Sequence, residues 1–105
     1  MIKKVLFISF LFLSTLVFSQ KTIEKVYAAP NPFATNTKIY VNLKSKQTIY
    51  FKVKNILGRT VYSKKLTLKK GKNSIPFSKD KLRSGMYIYS IQNKKESISK
   101  RLVIK

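Results

Sequence analysis

The stretch Thr48-Ile49-Tyr50-Phe51-Lys52-Val53-Lys54-Asn55-Ile56-Leu57-Gly58-Arg59-Thr60-Val61 decides the fold. Ile49, Phe51 and Val53 alternate with Tyr50, Lys52 and Lys54, the period of two that marks a strand with one buried face. Leu57-Gly58-Arg59 breaks the run, and Gly58 supplies the backbone freedom that a tight connection needs. The pattern resumes over Thr60 to Leu68 with Val61, Leu66 and Leu68, and a bulge near Ser63-Lys64 is expected to absorb the phase shift between them.

The same signature recurs on both sides. Upstream, Lys38 to Leu43 places Ile39, Val41 and Leu43 on one face. Downstream, Ser74 to Phe77 reads as a short strand, and Pro76 marks it as an edge because proline cannot donate to a ladder. Met86 to Gln92 places Tyr87, Tyr89 and Ile91 together, and Ser97 to Ile104 does so with Ile98, Leu102 and Ile104. Val, Ile, Tyr, Phe and Thr dominate these runs, as strands prefer. Turn signals separate them: Gly71 within Lys69–Asn73, Gly85 after Ser84, and Asn93–Glu96. No helix-length stretch with a 3.6-residue apolar period follows Ser19. Roughly seven short strands with regular turns predict a small all-β, immunoglobulin-like antiparallel β-sandwich. Its expected core is Ile39, Val41, Phe51, Val53, Val61, Tyr87, Tyr89, Leu102 and Ile104.

Composition bounds the chemistry. The chain has 105 residues, 23 Lys+Arg, 3 Asp+Glu and a net charge of +20, with no Cys, His or Trp. Disulfides, thiolate zinc sites, a histidine general base, a Ser-His-Asp triad and a Cys-His dyad are therefore excluded. Glu24, Asp80 and Glu96 are too scattered in sequence for a calcium cage or a glycosidase carboxylate pair. Ser97-Ile98-Ser99-Lys100 has the Ser-x-x-Lys spacing, but on an expected strand and outside any catalytic context. No enzyme activity, cofactor or metal is expected.

The first residues read as an export signal. Met1-Ile2-Lys3-Lys4 is cationic, and the 14 residues Val5 to Phe18 carry no charge. That is a typical signal-peptide core and short of the ~20 residues of a membrane span. Residues 1–19 are assigned as signal peptide, with cleavage before Gln20, residues 20–26 as a short N-terminal segment, and 27–105 as the sandwich. The processed chain would hold 86 residues and carry +18. A domain of that size buries only ~60% of its unfolded surface.

The charge has three readings. Lysines on outward faces and in turns protect edges and solubility. They would also attract anionic outer-membrane lipopolysaccharide or another acidic partner. Nucleic-acid binding is disfavoured, because an export signal removes the chain from most nucleic acid and because 20 Lys stand against 3 Arg, whereas bidentate phosphate and guanine recognition favours Arg.

A set of motifs in order carries a family resemblance. Ala29-Pro30-Asn31-Pro32-Phe33 precedes the strands; then come Lys52 to Val61 with its Gly58 turn, Gly71-Lys72-Asn73, Leu82-Arg83-Ser84-Gly85-Met86-Tyr87, and the closing Lys100-Arg101-Leu102-Val103-Ile104-Lys105. This order resembles the type A C-terminal sorting domain of type IX secretion, over about Tyr27 to Lys105. The resemblance implies a non-enzymatic label: a sandwich recognised in the periplasm by the type IX translocon and carried across the outer membrane to the cell surface or beyond. It also implies that Pro30, Asn31, Pro32, Phe33, Gly58, Gly71, Asn73, Leu82, Gly85, Tyr87, Lys100 and Lys105 form the sorting motifs. Two positions depart from the family pattern. Ala29 stands where Tyr commonly precedes Pro-Asn-Pro, and Asn55 stands where Asp commonly precedes the Gly turn. Only Gln20 to Val26 lies between the cleavage site and the domain, so no cargo is expected.

The residues themselves leave alternatives open. Pro30–Phe33 reads as a recognition element or as a rigid lead-in whose Phe33 plugs the core. Asn73 reads as a turn residue bonding to backbone, and Tyr87 as a core tyrosine whose hydroxyl ties down a neighbouring loop. Lys105 belongs to the last strand or is read by the secretion machinery.

Overall fold

The computed structural model describes residues 21–105; the expected signal peptide and its cleavage site lie outside the described residues. Every regular element described is a strand: β1 (Ile23–Ala29), β2 (Asn36–Leu43), β3 (Gln47–Asn55), β4 (Thr60–Leu68), β5 (Gly71–Ser78), β6 (Gly85–Gln92) and β7 (Ser97–Ile104). They form two antiparallel sheets, one in the order β1-β2-β5 and one in the order β4-β3-β6-β7. The alternation of Ile49, Phe51 and Val53 points all three into the space between the sheets, where they are fully buried. Ile39, Val41 and Leu43 face them from β2 and Ile75 and Phe77 from β5, while Tyr87, Tyr89, Ile91, Leu102 and Ile104 extend the same buried face along β6 and β7. Aromatic rings fill the middle. Phe77 meets Phe51 at 5.8 Å and Tyr62 at 5.2 Å, both edge to face, the arrangement that the ring quadrupole favours.

Three features depart from the sequence reading. First, a strand begins at Ile23, inside the stretch read as a short N-terminal segment. Its apolar pattern is hidden by a register shift between Ile23 and Lys25. The extra residue, Glu24, changes the phase, so that Ile23 and Val26, three apart, both become buried. Second, the irregularity in β4 falls at Val61 and not at Ser63-Lys64: Val53 pairs with Tyr62 and Lys54 with Thr60. Third, Val61 is only half-buried. The four-stranded sheet has one strand more than its partner, and β4 overhangs at the edge with Tyr62, Leu66 and Leu68 also half-covered.

The sandwich has two distinct ends. Gly85 pairs with Ile104, and the Asn55–Thr60 turn lies across from Tyr87. Phe33 bridges to Ile104, which brings the β1–β2 connection to this same end. The opposite end gathers Thr22, Leu43, Gln47, Gly71 and the β6–β7 turn.

Candidate functional site

Pro30 and Pro32 fix their own φ and offer no N–H, so the chain leaves the β1 ladder at this point. The carbonyl of Pro30 accepts a 2.6 Å hydrogen bond from the hydroxyl of buried Thr37. Asn31 then acts as a surrogate strand. Its Nδ2 donates to the Arg101 carbonyl at 3.0 Å, and its Oδ1 accepts from the Val103 amide at 2.9 Å. Phe33 continues the pairing: its amide donates to the Val103 carbonyl at 3.0 Å, and its carbonyl accepts from the Lys105 amide at 2.8 Å. The ring of Phe33 is 1% exposed and stands edge-on to Phe77. The Pro30–Phe33 motif and the Lys100–Lys105 motif, some 70 residues apart in sequence, are thus one structure, and the outer edge of β7 is closed by it from Arg101 to Lys105. An unpaired edge is a template for unwanted pairing, so this closure also protects the domain.

The neighbouring turns are equally fixed. Gly58 adopts φ +83°, a region in which a side chain is strained. Asn55 holds the turn around it: its Oδ1 accepts from the amides of Leu57 and Arg59, each at 3.0 Å, its carbonyl accepts from Gly58 at 3.0 Å, and its amide donates to Arg59 at 2.9 Å. Asn55 therefore supplies the bonds that a turn aspartate would, without its charge. Tyr87 is buried, and its hydroxyl donates to the Arg83 carbonyl at 2.8 Å. Leu82 is half-buried against the core, and Ser84 donates to the Lys105 carbonyl at 2.6 Å. Pro30 and Leu82 also border a cleft of about 970 Å³ between β5 and β4, floored by Tyr62 and Phe77.

Three of the sequence-predicted residues lie elsewhere. Gly71 and Asn73 sit at the opposite end of the sandwich. There the Asn73 side chain donates to the Lys69, Gly71 and Val41 carbonyls and accepts from the Lys69 amide, a fastening of the β4–β5 turn. Lys100 lies midway along β7, and its Nζ donates to the Val26 carbonyl of β1, joining the edges of the two sheets. Pro30, Asn31, Pro32, Phe33, Gly58, Leu82, Gly85, Tyr87 and Lys105 share the first end.

Two groups escaped the sequence reading. Glu96 accepts from the Thr22 hydroxyl at 2.6 Å, the Thr22 amide at 2.8 Å, the Ile23 amide at 3.3 Å and Asn93 Nδ2 at 3.0 Å. Desolvation pushes this carboxyl up, but the bonds from Thr22 and Asn93 and from the two amides outweigh it and hold the group below its ordinary value. No sequence pattern links Thr22 to Glu96 across 74 residues. The second group is the pair Ile56 and Leu57, which protrude from the Gly58 turn with 74% and 85% of their surface exposed. Their signal was present: an Ile-Leu pair where turn chemistry favours Gly, Asn, Asp or Ser.

The arrangement offers binding chemistry. Among the described residues, no group of three or more His, Cys, Asp or Glu is placed to hold a metal ion, and no helix is long and apolar enough to cross a membrane. A family model described as a secretion system C-terminal sorting domain matches residues 25–105. Among curated proteins, none matches the chain.

Proposed function

The chain belongs to the type IX secretion C-terminal sorting domain family, and from that membership we propose that it is a non-enzymatic targeting domain, exported to the periplasm by its N-terminal signal. The folded sandwich is recognised there by the type IX machinery and is carried across the outer membrane to the cell surface. What supports this reading best is the convergence of motifs scattered over the sequence: the Pro30–Phe33 segment, the Gly58 turn, Leu82–Tyr87 and the closing residues through Lys105 meet at one end of the fold. The strand orders support an immunoglobulin-like reading of the sandwich, as does the bond from Tyr87, near the start of β6, back to the Arg83 carbonyl.

The test is a reporter that otherwise stays in the periplasm, fused ahead of Lys21 in a host with an active type IX apparatus. Surface exposure is expected there, and periplasmic retention in a host lacking the apparatus. Retention in both hosts, with the domain folded, would overturn the proposal. A fusion that starts at Tyr27 removes Ile23 and Val26 from the core and is expected to fail by unfolding.

A further inference from the structure

The Gly58 turn exposes apolar surface that the fold does not use. Ile56 and Leu57 lie outside the core, yet the loop bearing them is clamped by the four Asn55 bonds described above. A mobile hydrophobic tip would have to be ordered before it could bind; this one is already ordered, which lowers the entropic cost of association. The outer face of the four-stranded sheet extends the apolar surface, since Met86 is 45% exposed and pairs with half-buried Val103, with half-buried Ile88 in the next outward position of β6.

The charges around this surface are predominantly positive. The chain has only three arginines, and all three surround it: Arg59 closes the turn, Arg83 is anchored through its carbonyl by Tyr87, and Arg101 lies opposite Ile88 on β7. All three are exposed, as is Lys54 on the other side of Ile88. Asp80 is the one carboxylate in the adjoining loop. The lysines, in contrast, are spread over both sheets and both ends. A lipid surface attracts lysine as well as arginine. Guanidinium groups are distinguished by the planar fork that pairs with carboxylates, and arginine is enriched among the residues that carry most of the energy of a protein interface.

We infer that the Ile56-Leu57 turn, with Met86 beside it and Arg59, Arg83 and Arg101 around it, is the docking surface for a protein partner that offers an apolar recess bordered by carboxylates. Resting on the sorting reading, the inference identifies that partner as a component of the type IX apparatus and this turn as the part it grips.

The test uses the full chain expressed in a type IX host, with surface arrival read by external protease on intact cells and folding read by thermal melting of the purified chain. The double variant Ile56→Ser, Leu57→Ser is expected to melt as the wild type does and to reach the surface about tenfold less. Reversal of the rim with Arg59→Glu and Arg83→Glu, at exposed positions that leave the core untouched, is expected to reduce arrival at least about threefold. Should both variants arrive as the wild type does, the docking surface is overturned while the sorting function stands. Failure of the wild type itself would overturn the sorting reading and this inference with it. Flotation of the chain with phosphatidylglycerol vesicles that is abolished by Ile56→Ser, Leu57→Ser would assign the turn to a membrane and overturn the protein partner.

Discussion

The two ends of the sandwich are closed by different chemistry. At the end holding Glu96, a single carboxylate collects the Thr22 hydroxyl, two backbone amides and the Asn93 amide, and so binds the start of β1 to the β6–β7 turn. At the end holding Phe33, neutral groups close the fold: Asn31 and the Phe33 backbone pair with β7, and Asn55 ties its own turn. The first arrangement depends on an ionised group, and the exposed apolar residue nearest to it is Tyr50, which pairs with Gln92; the second carries the aliphatic side chains Ile56, Leu57 and Met86 in the open. One end is a fastening, and the other combines a fastening with a display. Each substitution below tests whether that division is real.

The largest effect is expected at Phe33. Its ring is buried and packs on Phe77, and it is the point where the β1–β2 connection enters the core. Phe33→Ala leaves a cavity in a small domain that has no disulfide, and costs about 3–5 kcal/mol, enough to abolish most of the stability of a chain this size. Urea denaturation followed by circular dichroism checks it. A loss below about 1 kcal/mol would show that the motif contributes little to the fold. Asn31→Ala is next: two hydrogen bonds to β7 are lost at an exposed site, for about 1–2 kcal/mol. If Asn31→Ala melts as the wild type does, the stitch to β7 is dispensable, and the motif serves contact alone.

These residues also show what a sequence can and cannot reveal. Strands β2, β3 and β6 were legible because their alternation is unbroken, β7 because Ile98, Leu102 and Ile104 keep one phase despite Lys100 between them, and Pro76 marked β5 as an edge because proline lacks a ladder donor. Tyr87 and Asn73 were legible as side chains that bond to nearby backbone. Strand β1 was not, since the extra residue at Glu24 places Ile23 and Val26 on one face at a spacing that no regular strand has. The β4 irregularity was misplaced for a related reason. Tyr62 is amphipathic, and only the pairing shows that it faces inward with Leu66 and Leu68, which leaves Lys64 in the same phase at an open edge. An inward-phase lysine there hinders edge-to-edge pairing. The Pro30–Phe33 motif was legible as rigid and as a core plug, but its union with Lys100–Lys105 is a long-range pairing that local pattern does not encode.

The Glu96 end should respond to acid. Its carboxyl is held below the ordinary value of 4.5, so its bonds favour the ionised form. The folded state binds the proton less readily than the unfolded chain does. The contribution is therefore complete above the unfolded value and disappears as pH falls through the lower folded value. Because the group is partly exposed, solvent screens the effect and it is modest. Denaturation midpoints measured from neutral pH down to below 4 should fall for the wild type, with a smaller fall for Glu96→Gln. Parallel curves for the two proteins would mean that Glu96 does not fasten β1.

The smallest effect is expected where the display is. Leu57 is 85% exposed, and the bonds that hold its turn come from Asn55 and the backbone, not from its side chain. Leu57→Ser should therefore change stability by no more than about 0.5 kcal/mol, the range of surface substitutions away from special features. It should also leave φ at Gly58 unstrained, since the turn bonds persist. A measured loss well above that range would mean that Leu57 packs against the sheet in solution, and the division between the two ends would then fail. A null result gives the comparison its force. Phe33 and Leu57 are both apolar residues in connections at the same end; one is buried in the core, while the other is held in the open with exposed hydrophobic surface that the fold does not use, which leaves contact with another molecule as its physical rationale.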